Sequence, residues 1–465
     1  MAKLLKFIFL MILITSAPSA FCGYALPNGG YIFTRAGYNY GPSTIVEGNI
    51  QKFWWCGLDQ GPSGQTDTIQ YRTYNSSTQQ WSTITKVLTP TTGAWDSLFT
   101  CDPSVIAGNF KNPENGLTYQ YAMYYTATNT RPGINNSIGL AYSNDGVNWV
   151  KYSQPVIRQA QVDGGYGAGQ AATYNANGQA NIYVFYTDTS AGAGDRLYLR
   201  QTNDGINFGA ATLISDSNTA GLQLSSNSDL AYDYNSKYFY AVRETAPYRS
   251  GDREAYQMII ARMPASDLLS GGGTWEVLGF ANSNLTGFYM NHNPGIWRDN
   301  FGNITNALPT IPVYFAAGTN DSNTWNLTTV SITPTPSTLL LTRYACYTCG
   351  NNNATAHLIT VGYVPNVGYH VESTLGYLDM APISGEIPLY NCMAGKAPFL
   401  TKDQACEGQQ PMGIMGYISP NSGGNTRAIY RCVANNNNID HFVSYDAACE
   451  GQKQEGLLGY SKNSQ

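Results

Sequence analysis

Five segments of the chain share a short pattern, and their spacing constrains the fold more than any other feature. Each segment starts with a turn-like residue, continues as a strand and leads into a second, aromatic-rich strand. The five starts are Gly41, Asp102, Gln170, Asp229 (or its neighbour Ser228) and Asn293, which are 61, 68, 59 and 64 residues apart. A repeat of about sixty residues with four short strands per unit is typical of a β-propeller. The spacing predicts an all-β, five-bladed propeller over residues 23–343.

The second unit shows the pattern most clearly. Asp102-Pro103-Ser104-Val105-Ile106 precedes an alternating run at residues 121–126, and Asn144-Asp145-Gly146 then joins two further runs. Asp-Gly supplies the positive φ angles that a two-residue hairpin turn needs. Asn203-Asp204-Gly205 repeats the turn one unit later, and we expect the aromatic ring after each turn to pack between blades. Residues 31–34 are a candidate for the strand that closes the ring on the last blade.

A second region, residues 344–465, consists of three shorter units. Their Gly-Tyr endings begin at Gly376, Gly416 and Gly459, which are 40 and 43 residues apart. A unit of about forty residues is too small to bury a core alone, so the copies must pack together. We predict a small triple-repeat β domain, either β-trefoil-like or a short repeat array.

The N-terminal residues 1–22 read as a secretory signal peptide. Lys3 and Lys6 precede an apolar run at residues 7–14, and small residues follow at 16–20. Lipid attachment at Cys22 is the alternative to simple export, and Phe21 is a poor residue before a lipidated cysteine. The apolar run is too short to span a bilayer, and we expect no transmembrane segment. The predicted location is secreted, cell-surface or periplasmic.

The chain has nine cysteines, and eight remain when Cys22 is set aside. Export to an oxidising compartment makes disulfides the expected state. The predicted pairs are Cys56–Cys101, Cys346–Cys349, Cys392–Cys406 and Cys432–Cys449. The Cys-x-x-Cys at 346–349 could instead be redox-active or half of a zinc site, but no second Cys/His pair at metal spacing accompanies it.

Charge argues against nucleic acid as a partner. Charged residues make up 12% of the chain and the formal net charge is −5. No Lys/Arg cluster offers phosphates a binding surface.

These motifs together resemble one clan of enzymes, the five-bladed propeller glycosidases that include arabinanases, β-xylosidases and fructosidases. The resemblance covers residues 35–340 and rests on the Asp102–Ile106 segment, the hairpin at residues 143–149 and His292-Asn293. It implies a carbohydrate-active protein, a polysaccharide hydrolase if catalytic, that needs no cofactor. The C-terminal repeats are similar to cysteine-containing modules of secreted bacterial proteins, and no function follows from that.

Glycoside hydrolysis needs two carboxyl groups across the sugar ring. In the resembled clan an Asp of the first blade is the base, a second-blade Asp tunes the acid, and the acid is a Glu of a later inner strand. The first position is Gly41 here and the second is Asp102. The third inner strand carries no Glu, which leaves Asp229 as the other inner-strand carboxylate. Asp102 and Asp229 are therefore the candidate catalytic residues.

Other residues near the expected channel mouth complete the candidate site. The residues expected to bind substrate are Trp54, Trp55, Gln170, Asn293 and Trp297. Tyr166 and Tyr289 are further aromatic candidates, and Glu47, Asp59, Asp96 and Glu244 are weaker carboxylate candidates. By the resemblance, His292 lies near a structural calcium ion or an ordered water. The alternatives are a glycan-binding or adhesion protein that lost the catalytic carboxylates, and a purely structural surface protein.

Overall fold

The computed structural model describes most of the chain after the predicted signal peptide, which lies outside the described residues. These residues are 31–32, 34–35, 37–189, 195–222, 224–248, 255–304, 310–319, 325–332, 338–349, 355–362, 368–395, 397–434 and 440–464. Nowhere in these ranges is a helix both long and apolar enough to cross a membrane.

The first part of the chain forms five antiparallel sheets in sequence order. Blade 1 contains β1 (Asn39–Glu47), β2 (Ile50–Gly61), β3 (Gly64–Asn75), β4 (Gln80–Trp81) and β5 (Thr85–Leu88). Blade 2 contains β6 (Phe99–Lys111), β7 (Thr118–Thr128), β8 (Ser137–Ser143) and β9 (Val150–Lys151). Blade 3 contains β10 (Ala168–Asn175), β11 (Ile182–Asp188), β12 (Arg196–Thr202) and β13 (Thr212–Leu213).

The last two blades are built in the same way. Blade 4 contains β14 (Leu224–Asp233), β15 (Tyr238–Tyr248), β16 (Ala255–Pro264), α1 (Ala265–Leu269) and β17 (Glu276–Ala281), and α2 (Ser283–Thr286) follows it. Blade 5 contains β18 (Met290–Ile296), β19 (Ile311–Gly318) and β20 (Asn326–Ile332). The inner strands β1, β6, β10, β14 and β18 each contact the next, and β18 contacts β1. The predicted five-bladed propeller is confirmed.

The N-terminal segment closes the ring. The N–H of Ile32 donates to the carbonyl of Leu327 in β20 at 2.8 Å, and the N–H of Asn39 donates to the carbonyl of Trp325 at 3.0 Å. The first described residues therefore extend the outer edge of the last blade, as predicted for residues 31–34. Ile32 is buried in the apolar cluster between blades 5 and 1.

The two Asp-Gly turns have the expected structure. Oδ1 of Asp145 accepts two of the N–H groups that follow it, and Asp204 repeats this arrangement one blade later. The ring of Trp149 meets that of Trp54 edge-on at 6.4 Å, and Nε1 of Trp54 donates to the carbonyl of Gly146. The turns thus hold aromatic rings between blades, as predicted.

The C-terminal region contains three units of three strands. They are β21 (Thr338–Cys346), β22 (Ala356–Val361) and β23 (His370–Asp379); β24 (Ile387–Ala394), β25 (Ala397–Thr401) and β26 (Gln410–Ile418); and β27 (Thr426–Val433), β28 (His441–Ser444) and β29 (Lys453–Lys462). The third strands pair with one another at Asp379–Tyr417, Tyr377–Lys462 and Ser419–Tyr460. The middle strands also meet pairwise. The predicted triple repeat is therefore a closed, pseudo-threefold domain.

All four predicted disulfide pairs are present, and two of them lie inside the second and third repeats. The repeats also dock on the propeller. One apolar cluster joins Leu199 of blade 3 and Ile259 of blade 4 with Leu389 of the second repeat. In addition, Nδ2 of Asn391 donates to the carbonyl of Gly221 at 2.7 Å.

The ring closure predicts the effect of a mutation. Ile32→Ala removes a buried side chain from the junction of the first and last blades, so we expect a loss of about 2–5 kcal/mol in the free energy of unfolding. Denaturant unfolding measures it, with Leu117→Ala as the control. Leu117 is 59% exposed, so its truncation should change stability by less than about 0.5 kcal/mol. Equal effects of the two changes would contradict the closure.

Candidate functional site at the propeller axis

The predicted blade starts line a shallow depression on the propeller axis, which we call the mouth. Gly41, Asp102, Gln170 and Asn293 all have positive φ, between 42° and 59°. Each lies in a β-bulge, where the pairing of the inner strand with the second strand shifts register. A bulge turns a side chain out of the regular alternation, and Asp and Asn tolerate this backbone region better than most residues. The repeated bulge therefore brings these residues to one place.

Asp102 is the carboxylate of this depression. It is 6% exposed. Its Oδ2 accepts a hydrogen bond from the hydroxyl of Tyr166 at 3.1 Å, and its Oδ1 accepts one from Nδ2 of Asn293 at 3.2 Å. Burial raises the pKa of Asp102, and these two hydrogen bonds partly oppose that shift. Asp102 lies where the sequence predicts it.

The lack of a first-blade carboxylate at position 41, which is glycine, has a steric cause. A Cβ atom at this position would lie 2.9 Å from Oδ1 of Asp102 and 3.5 Å from Nδ2 of Asn293. The carboxyl group of Asp102 thus occupies the space that a first-blade side chain would need. Glycine is required here as much by its neighbour as by its φ of 59°.

Asp229, the second predicted catalytic residue, is committed to an internal ion pair. Its Oδ1 lies 2.9 Å from Nη1 of Arg298, whose side chain is 1% exposed. The backbone N–H groups of Leu230 and Ile296 donate to its two oxygens. Burial raises the pKa of Asp229, and Arg298 with the backbone donors lowers it in part. Both oxygens hold the scaffold together, so the geometry does not support Asp229 as an acid.

The alignment of the inner strands explains why the sequence suggests a catalytic role for Asp229. Its Oδ2 accepts the N–H of Ile296 in the next blade, just as Oγ of Ser43 accepts the N–H of Val105. Asp229 is therefore equivalent to Ser43, two residues past Gly41. It lines the depression beside its partner Arg298.

The three tryptophans predicted to stack on sugar do not do so. Trp54 and Trp55 are 0% exposed and Trp297 is 3% exposed. Nε1 of Trp55 donates to Oδ1 of Asn39, and Trp297 stacks on Tyr314. These predictions were wrong, because apolar aromatic residues on inner and second strands are needed to fill the space between blades. Gln170 does line the depression, and Oε1 of its amide has no hydrogen-bond partner among the described residues.

His292 lies beside a buried glutamate. Its Nδ1 is 2.7 Å from Oε1 of Glu244, which is 0% exposed. The same oxygen accepts hydrogen bonds from Nδ2 of Asn227 at 2.8 Å and from the N–H of Asn293 at 2.5 Å. Glu244, a weaker candidate in the sequence, thus supports the mouth from behind Asn293.

The residues around His292 fit calcium poorly. Calcium takes six to eight oxygen ligands. Within the described ranges, the atoms without a hydrogen-bond partner in this cluster are Oε2 of Glu244 and Oδ1 of Asn227. The one described group of three metal-ligating side chains, Cys56, Asp67 and Cys101, includes a disulfide and is no metal site. Calcium at His292 stays a prediction that these donors do not support.

Asp67 is the functional candidate that the sequence did not reveal. It is half-buried in β3 and accepts hydrogen bonds from the hydroxyls of Tyr38 and Tyr40. Burial raises its pKa, and the two tyrosines partly oppose the shift. One of its oxygens lies within 4.8 Å of Sγ of Cys101, which is 3.7 Å from Oδ1 of Asp102, so the two carboxyl groups are less than about 9 Å apart. The only sequence signal for this proximity is the Cys56–Cys101 disulfide.

Comparison with known proteins gives similarity of shape only. No protein-family model matches the chain, and no curated protein is similar to it in sequence. An α-L-arabinofuranosidase from Lactobacillus brevis has 9% identity and a TM-score of 0.46, over 72% of this chain and 96% of its own. A thermostable family-43 glycoside hydrolase has 12% identity and a TM-score of 0.44, and the match covers 66% of this chain and 98% of the hydrolase. An endo-arabinase from Bacteroides thetaiotaomicron has 12% identity and a TM-score of 0.42, and the match covers 64% of this chain and 94% of the endo-arabinase. Similarity at this level carries no information on activity.

The Asp229–Arg298 pair predicts a stability difference within the site. Asp229→Asn leaves a buried guanidinium without its counter-charge, so we expect a loss of about 3–5 kcal/mol in the free energy of unfolding. Asp102→Asn is the matched control, since the side chains that donate to Asp102, those of Tyr166, Asn293 and Thr126, are neutral. Guanidinium chloride titration of both variants measures the difference. An Asp229→Asn protein as stable as Asp102→Asn would refute the structural role.

The donor set near His292 predicts the response to calcium. Because the described residues offer too few free oxygens, we expect the same melting temperature in excess calcium and in excess EGTA. Differential scanning calorimetry of the wild type and of Glu244→Gln measures this. A rise in melting temperature with calcium, lost in Glu244→Gln, would show that calcium does bind there.

Proposed function

We propose that this is a secreted, carbohydrate-active propeller protein whose axial mouth binds a glycan. The observation that carries the proposal is the convergence of Asp102, Gln170 and Asn293 in one depression. Carboxylate and amide groups are the usual partners of sugar hydroxyls, and specific sites place a few such groups among apolar surfaces. The four disulfides, which persist in oxidising compartments, support secretion.

Tyrosines supply the apolar surface of this mouth. Tyr40 and Tyr166 are half-buried and lie beside Asp102. A tyrosine ring offers a flat apolar face and a polar edge, which suits the alternating faces of a sugar. They take the place of the buried tryptophans as candidate stacking residues.

Hydrolysis is the second candidate, and Asp67 is the observation that favours it. Two carboxyl groups less than about 9 Å apart fall within the range that glycosidases use. Burial raises the pKa of Asp102, and the charge of an ionised Asp67 raises it further, which favours the protonated form of Asp102. The hydroxyls of Tyr38 and Tyr40 favour the ionised form of Asp67.

These states define the roles that each group would have. Asp102 donates its proton to the glycosidic oxygen as the bond between that oxygen and the anomeric carbon breaks. Asp67 accepts one proton from the water whose oxygen bonds to the anomeric carbon. The proton of Asp102 ends on the hydroxyl of the leaving group, and the proton of the water ends on Asp67. This pair differs from Asp102 and Asp229, because Arg298 neutralises Asp229.

One experiment tests both candidates. Arabinan, xylan, fructan and mannan are immobilised, and retention of the protein and release of reducing sugar are measured on each. We expect retention on one polysaccharide, weakened at least about tenfold in Gln170→Ala. The matched control is Gln120→Ala, the same change at an exposed position of β7.

The carboxylate variants separate binding from hydrolysis. If the mouth is catalytic, sugar release falls at least about a hundredfold in both Asp67→Asn and Asp102→Asn while retention persists. Retention without release from the wild type would make the propeller a binding protein. Neither retention nor release on any of the four polysaccharides would overturn the proposed function.

A further inference from the structure

A second cleft lies away from the propeller axis, where the second repeat meets blades 3 and 4. Its volume is about 530 Å³, within the range of small-molecule and oligosaccharide pockets. Arg196 and Asp216 line the propeller side. Tyr390, Gln410 and Met412 line the repeat side. Ligand sites occur preferentially at such domain junctions.

The first and third repeats each contain an ionic cluster that the second repeat lacks. In the first repeat Arg343 and His357 both contact Glu372, at 2.8 and 3.2 Å. In the third repeat Arg431 and His441 both contact Glu455, at 2.9 and 3.4 Å. The strand pairings identify the corresponding residues of the second repeat as Asn391, Pro398 and Met412.

The three replacements have different consequences at the junction. Asn391 replaces the arginine and donates to the carbonyl of Gly221, which docks the repeat on the propeller. Met412 replaces the glutamate and lines the cleft. The second repeat is therefore uncharged at the face where its sister repeats carry an arginine, a histidine and a glutamate.

The cleft consequently has no net charge. Among its lining residues, the charged ones are Arg196 and Asp216, which pair with each other at 3.4 Å. Gln404 and Gln410 are exposed amides, and the ring of Tyr390 is half-buried. An ionic ligand would find no uncompensated counter-charge here. A neutral ligand rich in hydroxyl groups would find amide donors and acceptors beside an aromatic ring.

We propose that this cleft is a second glycan site, which binds a neutral oligosaccharide. The class of ligand rests on the proposed carbohydrate function, whereas the site shares no lining residue with the mouth. The two sites would let the protein hold one part of a polysaccharide in the cleft and another at the axis.

The experiment uses the full chain and calorimetric titration with the neutral hexasaccharides of arabinose, xylose and mannose. The cleft variant is Gln404→Ala with Gln410→Ala. Residue 404 corresponds to Ala447 of the third repeat, so the scaffold accepts alanine there. Gln409→Ala, an exposed glutamine beside the cleft, is the matched control, and Met412→Glu puts the charge of the sister repeats back.

We expect two sites on the wild type for one of these sugars. The double variant and Met412→Glu should each weaken one site at least about tenfold, with Gln409→Ala unchanged. Gln170→Ala, a mouth variant, should weaken only the other site. Wild-type binding in both cleft variants, with unchanged melting temperature, would overturn this proposal and leave the mouth proposal intact. Binding that only the cleft variants abolish would support the cleft and overturn the mouth.

Discussion

One buried guanidinium holds the five inner strands together. Arg298 follows β18 of blade 5 and donates to Asp229 of blade 4 at 2.9 Å and to the carbonyl of Thr173 of blade 3 at 3.3 Å. Its other terminal nitrogen donates to Ser104 of blade 2 at 3.0 Å and to Ser43 of blade 1 at 3.4 Å. An arginine suits this place because its planar fork can donate in several fixed directions at once. The cost of burying its charge is offset by Asp229, so this aspartate cannot also serve as a free acid.

Arg298 and the residues around it determine the shape of the mouth. The positive-φ residues line the same depression as Arg298, and the bulges of blades 2, 3 and 5 place the side chains of Asp102, Gln170 and Asn293 there. Asp102 fills the room of the missing first-blade side chain, and Asn293 links Asp102 to Glu244 behind it. A carboxylate restored at position 41 would therefore meet Asp102 before it met a substrate. In the hydrolysis that we propose as the second candidate function, the carboxyl group that acts with Asp102 is that of Asp67, on the third strand of blade 1.

The sequence predicts those parts of the fold that repeat. Four of the five blade starts, the two Asp-Gly turns and the four disulfides were found where expected. The position of Asp229 was misjudged by two residues because the pairing of β14 with β15 shifts between Leu224 and Ser228, unlike the other blades. Asp67 was missed because its proximity to Asp102 depends on how two neighbouring blades pack, and no pattern along β3 reports that. Trp54 and Trp55 were misread because a large ring suits a glycan and a gap between blades equally well.

The C-terminal domain shows how a repeat becomes a module of a larger protein. Three similar units close around a pseudo-threefold axis, and symmetry alone would give three equal faces. The first unit contacts blade 4 through the carbonyl of Gly362, which accepts from Nδ2 of Asn282, and the second unit contacts the propeller at Gly221. Of these two, only the second has lost the ionic cluster: an arginine there would have to be buried against the carbonyl of Gly221, and a glutamate would lack its partner. Docking on the propeller explains why residue 391 is asparagine, since its amide donates to the carbonyl of Gly221. It does not explain Met412, Gln404 and Gln410, which remain at the open cleft beside the contact. Had docking been the only constraint on this face, position 412 could have kept the glutamate that the other two repeats carry, and its neutrality is what points to an uncharged ligand.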